Sequence, residues 1–133
     1  NVGGAQAIVR WSFVPEAAPT MVTVDALKQL GPDFLEQEIA QRVAHGPLHW
    51  EMLVTIAAAG DPTADPSKPW PATRRVVDVG TLIVKAVEPE PDGPCRDINY
   101  DPTVLPSGVT VSDDPFPAAR SSVYRRSFDL RAA

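Results

Sequence analysis

The chain has 133 residues, of which 44% are hydrophobic, and a formal net charge of −5. That length fits one ordinary domain or part of a larger one. The acidic balance without a basic stripe excludes nucleic acid as the expected partner. No apolar run approaches the length of a membrane span, and no targeting segment is seen, so the compartment stays open. A single cysteine, Cys95, excludes an intrachain disulfide and a cysteine-based metal cluster; it reads as a half-buried loop thiol.

In chain order, residues 7–13 alternate roughly as a strand that Pro15 ends. The stretch from there to Leu30 carries no element in this reading. Gly31-Pro32-Asp33 opens a helix over 34–45, with Leu35, Ile39 and Val43 at four-residue steps and Gly46 as its stop. Residues 48–58 read as a long strand buried mostly on one side. Residues 60–73 form a loop rich in Pro and Asp. Residues 75–87 read as another strand, with Gly80 marking a bulge or bend. A turn-rich connection over 88–94, a short extended piece over 97–100 and a loop over 101–111 follow. Fifteen prolines fit long, ordered, irregular connections. A final helix begins at Asp114, a capping residue, with Pro115 at its first position.

Strands separated by long excursions and flanked by helices imply an α+β fold with an antiparallel sheet, part of a β-barrel. Three strands cannot close a barrel, and the start at Asn1 adds to the expectation of a piece of a larger domain.

On the last helix, Arg120 and Tyr124 stand four residues apart and share a face. A permanent cation beside a phenol favours the phenolate, a hard anionic oxygen suited to ferric iron. The same spacing also suits a surface cation–π contact. His45 at a helix C-terminus and His49 at a strand start read as structural or exposed residues. Asp61, Asp65 and Asp78 are too scattered for an acid/base pair, and the loop around Asp61 lacks calcium-ligand spacing. No phosphate loop, zinc spacing or nucleophile elbow is present.

The ordered set of motifs resembles the later part of the haem catalase core domain, and within that superfamily the small catalase-related peroxidases. Trp50-Glu51-Met52 resembles a Trp-x-Met strand start. Asp65-Pro66-Ser67-Lys68-Pro69-Trp70-Pro71 is similar to the Asp-x-Thr-Lys-x-Trp-Pro loop, and the strand with Gly80-Thr81-Leu82 to the one that follows it. Tyr100-Asp101-Pro102-Thr103 resembles the Phe-Asp-Pro-Thr segment. Leu105 to Val109 and Ser112 to Asp114 resemble the pieces before the proximal helix, and Arg120-x-x-x-Tyr124 the ligand motif.

The resemblance implies a catalase-like barrel core, of which residues 1–133 are the later part, holding haem b. Tyr124 is then the axial ligand of the haem iron as phenolate, and Arg120 holds that phenolate by charge and hydrogen bonding. Arg131 either pairs with a haem propionate or is an exposed charge on a C-terminal tail. Tyr100 and Pro102 wall the proximal side, or simply pack the loop. Arg125-Arg126-Ser127-Phe128 departs from the run that follows the ligand in large catalases, and fits the smaller peroxidases better. The implied activity is that of a peroxidase or catalase-type oxidoreductase acting on hydrogen peroxide or an organic hydroperoxide, with a second peroxide or an unidentified electron donor as reductant. The family's distal His and Asn belong to a part of the domain outside this chain, so the chain alone would not turn over. A non-catalytic haem-binding or structural piece, and a hydroperoxide-rearranging relative, are the alternatives. A homo-oligomer is left open.

Overall fold

The computed structural model describes residues 4–89, 91 and 93–132. The order of elements is β1 (Val9–Pro15), α1 (Val24–Gln29), α2 (Phe34–Ala44), β2 (Leu48–Ile56), β3 (Val76–Val84) and α3 (Phe116–Ala132). They fall into two compact units. The first comprises Asn1–Arg10, Thr55–Arg75 and Pro89–Ala133; the second comprises Trp11–Val54 and Val76–Glu88.

Most of the sheet lies in the second unit, with strand order β1-β2-β3. The bonds from Ala57 N to Ile8 O and from Glu16 N to His49 O, 2.9 and 3.0 Å, keep one antiparallel register along β1 and β2 without a bulge between them. β2 is the central strand, as its Val, Leu, Ile and Trp content favours, and Val54 on it is the one buried hydrophobic side chain among the described residues. Trp11 and Phe13 on β1, and Val79 and Ile83 on β3, stay exposed. The α+β class therefore holds, but the sheet is open. A barrel needs more strands than this chain supplies.

β3 is shorter than the 75–87 expected. Gly80 inside it has φ +139°, a conformation that side chains strain against, and Asp78 Oδ1 accepts the Gly80 N–H at 2.9 Å. The bulge or bend expected there does not interrupt β3, which runs through Gly80. α2 ends as its sequence requires: Gly46, at φ +149°, donates its N–H to Val43 O. α1 was not foreseen. Its signal is present but short: Thr23 Oγ1 accepts the Ala26 N–H at 3.2 Å, and Asp25 and Lys28 pair at 3.0 Å across one turn.

The first unit has no buried apolar residue among those described, and is instead tied by polar side chains. Arg10, on the part of β1 that belongs to it, donates to the carbonyls of Lys68 (2.7 Å), Pro62 (3.2 Å) and Asp65 (3.2 Å). Its guanidinium also lies 4.3 Å above the Trp70 ring, whose Nε1 donates to Pro62 O. The Asp65–Pro71 motif thus acts through its shape: its carbonyls converge on one arginine. The loop is closed at its base by Asp61 and Arg74. Thr63 Oγ1 donates to Asp113 Oδ2 at 3.3 Å, linking the loop to the segment before α3.

The extended piece expected over 97–100 joins no sheet: residues 94–97 form turns, and residues 98–100 carry no regular element. Arg96 N bonds Gly93 O, Ile98 N bonds Cys95 O, and Asp101 N bonds Asn99 O. Local bonds take the donors that a strand would have offered to a ladder. Of the expected 88–94 connection, positions 90 and 92 lie outside the described residues. Cys95 is exposed rather than half-buried.

Candidate functional site

The site is built on α3. Asp114 Oδ1 accepts the Phe116 N–H at 2.8 Å, and Pro115 O accepts the first helical bond from Ala119 N. The cap and the proline that fits beside it therefore start the helix where the sequence placed them. From that start, Arg120 and Tyr124 fall on one face. Arg120 Nη2 donates to the Tyr124 hydroxyl oxygen, and the guanidinium carbon stands 5.1 Å from the ring centroid. The phenol oxygen thus faces a permanent positive charge.

Tyr124 lines a cavity of about 310 Å³ together with Asn99, Tyr100, Ser127 and Arg131. Three residues singled out from the sequence, Tyr100, Tyr124 and Arg131, are thereby brought to one place. Arg120 joins them through Tyr124. Pro102 is half-buried beside Asp101 and does not line the cavity. His45 and His49 belong to the second unit. There His45 Nδ1 lies 2.7 Å from Gln41 O, and His49 Nδ1 lies 3.0 Å from Glu16 Oε2.

Arg131 is held rather than left on a tail. Its Nη1 donates to Ser127 Oγ (3.1 Å) and its Nη2 to Ile98 O (3.4 Å), while Arg96 Nη2 donates to Arg131 O (3.0 Å). These bonds fasten the last turns of α3 to residues 96–98. Tyr100 is raised above the ordinary phenol range, chiefly by hydrogen bonding to the Cys95 thiol, with loss of hydration adding to it.

Two residues of the cavity wall, Ser127 and Asn99, were not picked from sequence. Ser127 was legible, because it lies three residues after Tyr124 and four before Arg131 on the same helical face. Asn99 was not, since only the fold brings it to α3. The device that does so is Asp101. Its Oδ2 accepts Ser121 Oγ at 2.6 Å across to the helix, and its Oδ1 accepts the Thr103 N–H (2.8 Å) and hydroxyl (2.6 Å). The Ser121 bond first, then those from Thr103, hold the Asp101 carboxyl below its ordinary 3.8.

A carboxyl depressed in the folded state contributes stability that is present above its unfolded value and lost as pH falls through its folded value. Asp101→Ala should therefore lower the melting temperature of the full-length protein at neutral pH. The deficit should close as the medium is acidified below about pH 3.8. In Ser121→Ala, an NMR titration should find the Asp101 carboxyl moved back up. An unmoved carboxyl would show that Ser121 does not hold it.

Among the described residues no group of three or more His, Cys, Asp or Glu side chains gathers as a metal site, and no helix is long and apolar enough to cross a membrane. A larger and mainly apolar cleft of about 940 Å³ lies in the second unit, between the end of β1, α2 and the start of β2.

No family model matches the chain. It is 38% identical over 124 residues, 93% of its length, to a catalase-related peroxidase of Synechococcus elongatus, of which it covers 37%. It is 34% identical over 128 residues, 96% of its length, to a catalase-related peroxidase of Mycolicibacterium paratuberculosis, of which it covers 41%. The chain spans about two fifths of the length of the curated relatives it matches. The resemblance carried by the ordered motifs from Trp50 to Tyr124 is thus matched by a similarity to catalase-related peroxidases over nearly the whole chain.

Proposed function

We propose that this chain forms part of a haem site in a peroxidase or catalase-type oxidoreductase, in which Tyr124 would hold the iron. The observation that carries this reading is the placement of Tyr124. Its oxygen is met by the Arg120 guanidinium, and it lines one cavity with Tyr100 and Arg131. The donor set suits ferric haem: an oxygen beside a fixed cation for the metal, and a second cation two helical turns away for an acidic edge.

When bound, haem supplies the iron at which peroxide is reduced. The chain's own residues hold and orient it. Arg120 keeps the Tyr124 oxygen aimed and offsets its negative charge. Arg131, braced on the Arg96 and Ile98 carbonyls, would meet an acidic group of the cofactor. Tyr100 forms part of the cavity wall, and Pro102 stiffens the segment that carries it. The residues that would move the peroxide proton come from sequence outside this chain, in keeping with the share of its relatives that it covers. Residues 1–133 are on this reading one part of a single catalase-like barrel domain. The substrates are hydrogen peroxide or an organic hydroperoxide, and an electron donor.

The test is to load the full-length protein with haem and measure haem content, peroxide-dependent oxidation of an organic donor, and oxygen release. About one haem per chain with donor oxidation supports the peroxidase reading, and abundant oxygen release shifts it towards catalase. Failure to bind haem at saturating concentration would remove the proposal.

A further inference from the structure

We propose that Asn99 is an anchoring residue for a carboxylate of the bound cofactor, at the Arg131 end of the cavity. The inference rests on the haem reading above, and it begins from an anomaly. Asn99 Oδ1 is shielded from solvent and has no hydrogen-bond partner, the one such side-chain atom found among the described residues. Folded proteins leave few shielded polar atoms unpaired, because each forfeits its bonds to water. Asn99 also lines the cavity with Tyr124, Ser127 and Arg131. Asn99 is thus a residue of the cavity wall that carries an unmet polar atom.

Its position along the cavity follows from its chain neighbours. Arg131 Nη2 donates to the carbonyl of Ile98, the residue before Asn99, and Arg131 Nε to that of Arg96. Asn99 is therefore fixed beside the Arg131 end. From there Tyr124 lies seven residues back along α3, a rise of about 10 Å. The guanidinium, the Ser127 hydroxyl and a carboxamide together form a cationic, hydrogen-bonding cluster of the kind that binds a carboxylate. The amide takes part in either orientation. Turned over, it donates through its NH2 to a carboxylate; as it stands, it accepts from a protonated acid. Haem carries two carboxylates on one edge, so a molecule whose iron meets Tyr124 can direct that edge towards Asn99.

The unmet acceptor gives a signature that a structural asparagine would not show. Asn99→Leu removes a shielded group without a partner, so the cofactor-free protein should be as stable as wild type or more so. Cofactor retention should move the other way. Two cofactor forms serve as reagents: haem and its dimethyl ester, which lacks the carboxylates. Transfer of each to an excess of apomyoglobin measures its loss from the full-length protein. Wild type should hold haem longer than the ester, and in Asn99→Leu that preference should shrink by about tenfold. The iron-ligand absorption spectrum should be unchanged.

A haem-to-ester preference equal in variant and wild type overturns the anchor. So does a cofactor-free variant that melts lower while the preference is retained. Asn99→Ser, which is smaller and polar, supplies the same comparison if the leucine variant does not fold. Wild-type protein that binds neither form would remove the haem reading itself. Haem binding with an unaltered preference removes the anchor alone.

Discussion

Tyr124→Phe is expected to lower peroxide turnover of the full-length, haem-loaded protein by about a thousandfold or more, and to abolish the absorption bands of an iron–phenolate bond. The substitution deletes one oxygen and little else. The phenyl ring keeps its place on α3 and its stacking partner, since Arg120 lies 5.1 Å from the ring centroid. What goes is the atom that receives the Arg120 N–H. The helix itself depends on its cap at Asp114 and on the Ser121–Asp101 and Arg131–Ile98 bonds, none of which uses Tyr124. The melting temperature of the cofactor-free variant should accordingly stay close to that of wild type, which separates loss of a ligand from loss of a fold. Arg120→Met retains the oxygen but removes its cation, and its turnover should fall between the two. A haem spectrum indifferent to Tyr124→Phe would remove Tyr124 as the ligand.

Arg74→Leu is expected to cause the largest loss of stability of any single change in the loop over residues 58–74, a fall in melting temperature of roughly 5–10 °C. Asp61 is the reason. Its side chain is only 4% exposed, and both carboxylate oxygens are engaged by Arg74, Oδ2 from Nε and Oδ1 from Nη2, each at 2.7 Å. Oδ2 also accepts the Ala58 N–H at 2.7 Å. Removing the arginine leaves a carboxylate that has given up most of its water and lost the partner that replaced it.

The same pair sets a pH dependence. The Arg74 hydrogen bond, then that from Ala58, lowers the Asp61 carboxyl from 3.8 to about 2, against the opposing effect of burial. The folded state therefore binds this proton less readily than the unfolded chain. The contribution is complete above the unfolded value and disappears as pH falls from 3.8 towards about 2. Thermal melts at neutral pH and near pH 2.5 check this: the gap between wild type and Arg74→Leu should be wide in the first and narrow in the second. A gap that does not change with pH would mean that the arginine acts through packing alone.

The helices and strands with long sequence periods were legible before the fold was known. α2 announced itself through apolar residues at four-residue steps and Gly46. α3 did so through Asp114 and Pro115, and β2 through its apolar run. Such signals are local: a cap needs an acceptor two or three residues away, and a face repeats within two turns. For that reason the Arg120–Tyr124 contact and the Tyr124–Ser127–Arg131 face follow from sequence alone. α1 escaped because six residues hold too little periodicity to stand out. The irregular path over 94–100 escaped because Ile98 and Tyr100 suit a strand as well as a loop.

What the tertiary structure decided is which distant pieces meet. Arg10 finds the carbonyls of a loop more than fifty residues on, and Asp61 closes on Arg74. Ser121 seizes Asp101 across twenty residues and so brings Tyr100 and Asn99 to α3. No periodicity encodes such contacts. Each side chain has many polar groups it could bond, and only the closed chain selects one. The sequence determined α3 and the face that carries Tyr124, Ser127 and Arg131; the fold turned that face into one wall of a cavity and left Asn99 Oδ1 as an acceptor without a donor.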